Sequence, residues 1–102
     1  SPVMEIDQNV PDKFSIDAYP NPFNPTTTIA YNLTKNASVK IDIYNLKGRH
    51  IKMLSNSWKN AGYNSVIWNA KNDGGQQVPS GLYVYVLQVD KEIYRNKLLL
   101  IK

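Results

Sequence analysis

His50 is the only histidine of the chain, and it is the first candidate for acid–base chemistry because histidine titrates near neutral pH. It stands between Arg49 and Ile51, where a turn leads into a predicted strand. A general base needs a positioned partner. The sequence contains no Gly-x-Ser-x-Gly nucleophile turn, no Gly-x-x-x-x-Gly-Lys phosphate loop and no His-Glu-x-x-His motif. We therefore expect His50 to be an exposed residue at a strand end, and we predict no catalytic residue.

The segment Lys71–Gly75 is the best candidate for a calcium loop. Asn69, Asn72 and Asp73 lack the alternating spacing of an EF-hand, and no Glu follows at the closing position. A β-turn explains the segment better, with Gly74 or Gly75 supplying a positive φ. We predict no metal site and no cofactor.

Eleven aromatic residues (two Trp, seven Tyr and two Phe) raise the hypothesis of a carbohydrate-binding module. Trp58 lies in a predicted loop and is the candidate glycan contact. Trp68 lies in the middle of a predicted strand and is expected to anchor the core. Tyr83 and Tyr85 share one strand face, so we expect them to line the core with their hydroxyls at its rim.

The composition is that of one globular domain. Of 102 residues, 42% are hydrophobic and 20% are charged, and no apolar run approaches the roughly 18 residues that a membrane helix needs. The chain has no cysteine, which excludes disulfides and thiolate metal sites. The net charge is +4, but the basic residues are scattered, so we expect no nucleic-acid binding. The short apolar runs predict no transmembrane segment.

The order of the elements predicts an all-β fold. Residues 1–12, acidic and bracketed by Pro2 and Pro11, are predicted to be a linker from an upstream passenger domain, and residues 13–102 to be the folded domain. Short β-rich runs alternate with turn signals, and no long helix is expected, with at most a short turn at residues 56–61. The predicted strands are Lys13–Tyr19, Thr27–Leu33, Ser38–Leu46, His50–Ser55, Asn64–Ala70, Leu82–Asp90 and Glu92–Ile101. We predict a seven-stranded, immunoglobulin-like antiparallel β-sandwich with Greek-key connections.

Two motifs have a clear physical content. In Tyr19–Pro25, three prolines fix φ and remove three donors, which predicts a stiff connector with Tyr19 and Phe23 as candidate anchors. In Val78–Tyr85, Pro79 ends pairing and Gly81 permits a bend before a strong β run.

Four ordered stretches, Tyr19–Ile29, Ile43–Arg49, Trp68–Tyr85 and Lys97–Lys102, together resemble the type A C-terminal sorting domain of type IX secretion cargo. The resemblance covers about residues 12–102. Part of the pattern is shared with the immunoglobulin-like domain of flagellar hook-capping proteins, but the Pro-Asn-Pro motif and Lys102 favour the sorting domain. The motif residues are Tyr19, Pro20, Asn21, Pro22, Phe23, Asn24, Pro25, Gly48, Trp68, Gly74, Pro79, Ser80, Gly81, Tyr83 and Tyr85.

The resemblance implies an export signal for a larger secreted protein. In that family the cargo enters the periplasm, where its C-terminal domain is recognised by the outer-membrane translocon and is usually cleaved off by a cysteine-protease sortase. The cargo reaches the cell surface or the medium, commonly joined to an anionic lipopolysaccharide. Any enzymatic activity would belong to the passenger, not to this non-catalytic domain.

The same resemblance places most of the recognition signal in the last strand. The residues predicted to be recognised by the translocon are Lys97, Leu98, Leu99, Leu100, Ile101 and Lys102. An apolar segment at the end of the chain is free to fray and suits addition to a partner's sheet. The alternative is a last core strand with solubilising ends. Two other functions stay open: a carbohydrate-binding accessory module and a structural immunoglobulin-like spacer.

Overall fold

The computed structural model describes residues 14–102, so the predicted linker and Lys13 lie outside the described residues. The described part of the chain contains seven strands. They are β1 (Ser15–Tyr19), β2 (Thr27–Leu33), β3 (Ala37–Asn45), β4 (His50–Lys59), β5 (Gly62–Trp68), β6 (Gly81–Val89) and β7 (Glu92–Leu100). None of the described residues lies in a helix that could cross a membrane.

The strands form two sheets. One has the order β1-β2-β5 and the other has the order β4-β3-β6-β7. All neighbouring strands are antiparallel. The chain changes sheet after β2, after β4 and after β5, which gives Greek-key connectivity and confirms the predicted immunoglobulin-like sandwich.

The core lies between the sheets because apolar side chains alternate along the strands. Val39, Ile41 and Ile43 on β3 are fully buried, as their period of two predicts. Ile29 and Leu33 on β2 face them from the other sheet and are at most 1% exposed. The other sheet faces point to solvent, which is the arrangement expected of antiparallel sheets.

Strand β4 contradicts the sequence-based prediction. It was expected to end at Ser55, with a turn at residues 56–61, but it continues to Lys59 and pairs with β3 as far as Ala37. Asn and Ser favour turns locally, yet an edge strand whose side chains face water tolerates them. Trp58 therefore lies in a strand and not in a loop.

Strand β5 begins and ends two residues earlier than predicted. Its end at Trp68 has a local cause, because Ala70 is buried in a left-handed conformation with φ of 63°. Asp90, with φ of 53°, similarly ends β6 at Val89. The ends of β3 and β7 differ from the predictions by one residue.

Candidate recognition site

The motif residues, which are widely separated in sequence, meet at one end of the sandwich. In one sheet, Thr27 pairs with Trp68, and in the other, Asn45, Tyr83 and Leu98 lie side by side. A bridge between Phe23 and Leu100 joins the two sheets there. We call this the motif end. It comprises the connector (residues 20–26), the turn at residues 46–49, the loop at residues 69–80 and the segment Lys97–Lys102.

An aromatic cluster forms the interior of the motif end. Trp68 is fully buried, with its ring centroid 5.5 Å from that of Phe23 and 5.3 Å from that of Tyr83. Its Nε1 donates to the carbonyl of Lys71 at 2.9 Å, and the Tyr83 hydroxyl donates to the carbonyl of Pro79 at 2.5 Å. These contacts confirm that Trp68 and Tyr83 are core residues with polar atoms at the rim. Tyr85, 1% exposed, is also in the core.

The connector is non-strand structure, as predicted, but only one of its two expected anchors enters the core. Phe23 is 1% exposed, whereas Tyr19 is 47% exposed. The Tyr19 hydroxyl instead bonds that of Tyr63, at 2.8 Å, on the outer face of the sheet. The peptide bonds before the connector's three prolines are all cis. Thr27, which is buried, donates its hydroxyl to the carbonyl of Pro20 at 2.8 Å and fixes the start of the connector.

The connector lies along the edge of β7. Asn21 donates its Nδ2 to the carbonyl of Lys97 and accepts the amide of Leu99 at its Oδ1, both at 3.0 Å. Phe23 donates its amide to the carbonyl of Leu99 at 2.9 Å and accepts the amide of Ile101 at 3.0 Å. One Asn side chain and one Phe main chain thus replace a neighbouring strand.

This arrangement contradicts the expectation of a free edge on the last strand. Between Lys97 and Ile101, the main-chain groups that would bind an added strand already have partners. Of the side chains predicted to be recognised, Leu98 and Leu100 are buried in the core. The side chains of Lys97, Leu99, Ile101 and Lys102 remain at the surface, with Leu99 half-buried. Lys102 also donates its Nζ to the carbonyl of Val78 at 2.6 Å.

Glycine-dependent turns surround this surface. Gly48 has φ of 83°, and its amide donates to the carbonyl of Asn45 at 3.0 Å. The segment Lys71–Gly75 contains a β-turn, and Gly75, not Gly74, has the positive φ. No group of three His, Cys, Asp or Glu in the described part of the chain could hold a metal ion. Ser80 and Pro79 are exposed, and Gly81 begins β6.

His50 is paired, which the sequence did not predict. It does lie at a strand end, partly exposed, but its Nε2 is 2.7 Å from Oδ1 of Asp42, a residue only 5% exposed. Tyr44 packs edge-on against the imidazole, and Asp73 lies 3.7 Å from its Nδ1. Asp42 alternates with the core residues Ile41 and Ile43, which predicts an outward-facing, exposed side chain. The sequence therefore did not indicate that Asp42 is buried. Among residues 14–102, no hydroxyl nucleophile is hydrogen-bonded to His50.

The exposed aromatic residues do not form one platform. Trp58 is 63% exposed and pairs with Ser38 on the outer face of the four-stranded sheet, at the end opposite the motif end. Tyr19 and Tyr63 lie on the outer face of the other sheet. Rings that bind one sugar must be coplanar neighbours, so Trp58 and these tyrosines cannot bind it together.

This architecture is similar to that of two groups of known proteins, FlgD on one side and PorU and PorZ on the other. Residues 22–92 match the family model described as the FlgD Ig-like domain. Among solved structures, dimeric latent PorU from Porphyromonas gingivalis is similar over 94% of this chain and 10% of its own, with 18% identity and a TM-score of 0.71. PorZ, an essential surface component of the type IX secretion system of the same organism, is similar over 85% of this chain and 11% of its own, with 23% identity and a TM-score of 0.59.

FlgD from Xanthomonas campestris, which is involved in the hook capping essential for flagellar assembly, has 21% identity and a TM-score of 0.58. The match covers 88% of this chain and 63% of that protein. This chain thus spans about a tenth of the length of PorU and PorZ. At these identities the likeness shows the fold alone. No curated protein matches the chain.

Proposed function

This chain belongs to the FlgD Ig-like domain family, and we propose that within this family it is a sorting domain that directs an upstream passenger through the outer membrane by the type IX secretion system. One observation carries the proposal. The stretches of sequence that resemble a sorting domain form a single surface at the motif end, where the connector hydrogen-bonds the Lys97–Lys102 segment.

The exposed part of this surface supports a recognition role. Burial in the core explains Phe23, Trp68 and Tyr83 without any function. It does not explain the exposed connector residues Pro20 and Pro22, nor the exposed lysines of the Lys97–Lys102 segment. The motif end contains five basic residues and a single acidic one, Asp73, so the surface is basic. A basic surface with exposed apolar side chains suits contact with a partner protein.

The proposed role is non-catalytic. The domain acts as a ligand of the outer-membrane translocon and of the sortase, passes through the periplasm, and ends at the cell surface or in the medium. The likeness to PorZ, a surface component of the type IX system, supports this setting. Any reaction that the full polypeptide performs is assigned to the passenger.

A reporter fusion tests the proposal. A fluorescent protein with a periplasmic signal is joined to residues 1–102 and expressed in a host that has a working type IX system. We expect the fusion at the cell surface or in the medium, and a reporter without residues 14–102 in the periplasm. A fusion that remains wholly periplasmic while the domain is folded would overturn the proposal.

Removing the Lys97–Lys102 segment is a poor control for this experiment. The deletion takes Leu98 and Leu100 out of the core, so lost export would report unfolding. Substitution of surface residues is sharper. Lys97→Glu changes an exposed side chain of the predicted signal, and Lys91→Glu makes the same change in the turn at the other end of β7.

A structural role in an assembly is the second candidate function. The family match and the likeness to a hook-capping FlgD favour it. An assembly domain would bind another copy or a neighbouring subunit and would not move a reporter across the outer membrane. The fusion experiment therefore separates the two functions.

A further inference from the structure

The edge of β7 has no free hydrogen-bonding group between the amide of Lys97 and the amide of Ile101. Alternate residues of an antiparallel strand direct both main-chain groups to the same side. On the outer side, the Lys97 carbonyl and the Leu99 amide are bonded by Asn21, and the Leu99 carbonyl and the Ile101 amide are bonded by Phe23. The Lys97 amide bonds Oδ1 of Asn96 at 2.8 Å.

Displacing the connector would be unfavourable. A partner strand would form hydrogen bonds in place of those that it breaks, so the exchange has little net effect on free energy. Phe23, however, would leave a site where it is 1% exposed and packs against Trp68. Exposing a core aromatic side chain costs much more than one exchanged hydrogen bond contributes. The folded domain therefore resists strand addition along this part of the edge.

The side chains on the outer face of the sheet stay accessible to a partner even though the edge of β7 is hydrogen-bonded. Burial of Leu98 and Leu100 places Lys97 and Leu99 on the outer face of the sheet. Leu82, the register partner of Leu99, is 38% exposed, and Ile101 is 48% exposed. The connector borders this apolar strip along the edge. The two hydrogen bonds of Asn21 fix the connector against Lys97 and Leu99.

We propose that a partner protein binds the side chains of a composite surface and does not add a strand to it. The composite surface consists of the connector and the exposed side chains of Leu82, Lys97, Leu99, Ile101 and Lys102. Asn21 is the positioning residue that holds the connector in this surface. The partner surface that fits is apolar and carries carboxylates, since Lys97 and Lys102 flank Leu99 and Ile101 and no acidic residue lies nearby in these segments. This inference rests on the proposed function and names what its partner recognises.

Hydrogen exchange tests the positioning role. In Asn21→Ala, we expect the amide of Leu99 to exchange about tenfold faster, because its acceptor is lost, while the amides of β3 stay protected. Asn24→Ala is the matched control, because Asn24 is an exposed Asn of the same connector and no hydrogen bond of its side chain is seen in the described part of the chain. Unchanged exchange at Leu99 in Asn21→Ala would refute the positioning role.

Export of the reporter fusion tests the recognition. We expect Asn21→Ala and Lys97→Glu to lower export about tenfold, the change that a loss of about 1.4 kcal/mol in binding free energy gives, and Lys91→Glu to leave export at the parental level. If the partner instead added a strand to β7, Asn21→Ala would free the edge of β7 and export would rise. Strand addition also predicts normal export of Lys97→Glu.

The outcomes separate the inference from the proposed function. If the parental fusion is not exported, the proposed function fails. If the parental fusion is exported and Lys97→Glu is exported equally well, the sorting function stands and the composite surface is wrong. Lys97→Glu keeps the test valid even if Asn21→Ala fails to fold, because Lys97 is exposed and contributes nothing to the core.

Discussion

The ring of Phe23 packs against the indole of Trp68 with the centroids 5.5 Å apart and the planes inclined at 49°. The contact joins the connector to the end of β5 and holds the connector on β7. We expect Phe23→Ala to lower the free energy of unfolding by about 3–5 kcal/mol, the range for a deleted core aromatic. Urea denaturation followed by circular dichroism measures this change.

A matched control shows whether the loss is specific. Leu46, 63% exposed, lies in the turn at the same end of the sandwich. Leu46→Ala should change stability by less than about 0.5 kcal/mol, as surface substitutions do. A loss below about 1 kcal/mol for Phe23→Ala would mean that Phe23 does not anchor the connector, because a deleted core aromatic costs far more.

Thr27 offers a second prediction. Its hydroxyl is buried and donates to the carbonyl of Pro20 at 2.8 Å. Thr27→Val keeps the shape of the side chain and removes the donor, so the free energy of unfolding should fall by about 1 kcal/mol. Thr28→Val is the control, since Thr28 faces the outer side of the same strand and is half-buried. Equal effects of the two substitutions would contradict the role given to the Thr27 hydroxyl.

The sequence predicts the sandwich well because its information is local. Val39, Ile41 and Ile43 alternate with polar residues, and such a period of two is set by the pleat of a single strand. Glycine or proline lies in three of the six connections between the described strands. The same local reasoning failed at residues 56–59, where pairing with β3 overrides the turn preference of Asn and Ser.

The geometry of the candidate recognition site could be predicted only in part. The residue types single out the connector and the last strand, but the contact between them depends on how β1 and β7 are placed in different sheets. Nothing in the sequence around Asn21 indicates that its side chain bonds Lys97 and Leu99. Long-range polar contacts of this kind have no periodic signal in the sequence.

The pair of His50 and Asp42 gives a third prediction. Removal of the imidazole in His50→Ala leaves Oδ1 of a buried carboxylate without its partner at 2.7 Å. Lys40, at 3.7 Å from the other oxygen, is half exposed and compensates weakly. We expect a loss of about 1–3 kcal/mol, the cost of an unsatisfied buried polar group.

A double-mutant cycle with Asp42→Ala measures this interaction directly. The double variant should lose less stability than the sum of the single variants, by about 0.5–3 kcal/mol. A cycle of His50→Ala with Asp73→Ala is the control, because Asp73 is exposed and lies 3.7 Å from the ring, so its coupling should be smaller. Strict additivity for Asp42 and His50 would show that the pair contributes nothing.

Buried tyrosines predict a loss of stability at alkaline pH. Burial raises the pKa of Tyr31 above the usual 10.0, and it also raises the pKa of Tyr85, with the charge of Asp17 adding to the effect. Above pH 10, the unfolded chain has lost these protons while the folded chain still binds them. The unfolded state then binds fewer protons, so stability falls as pH rises. The contribution is fully present below pH 10 and is lost as pH rises through the raised pKa of each buried tyrosine.

Urea denaturation at several pH values between 8 and 11 checks this expectation. The midpoint should be constant up to about pH 9 and fall steadily above pH 10, since titration begins near the pKa of a tyrosine in an unfolded chain. Tyr31→Phe removes one titrating group and keeps the ring in the core, so its midpoint should fall less steeply with pH than that of the parent. The same slope in Tyr31→Phe and the parent would show that Tyr31 takes no part in the alkaline transition.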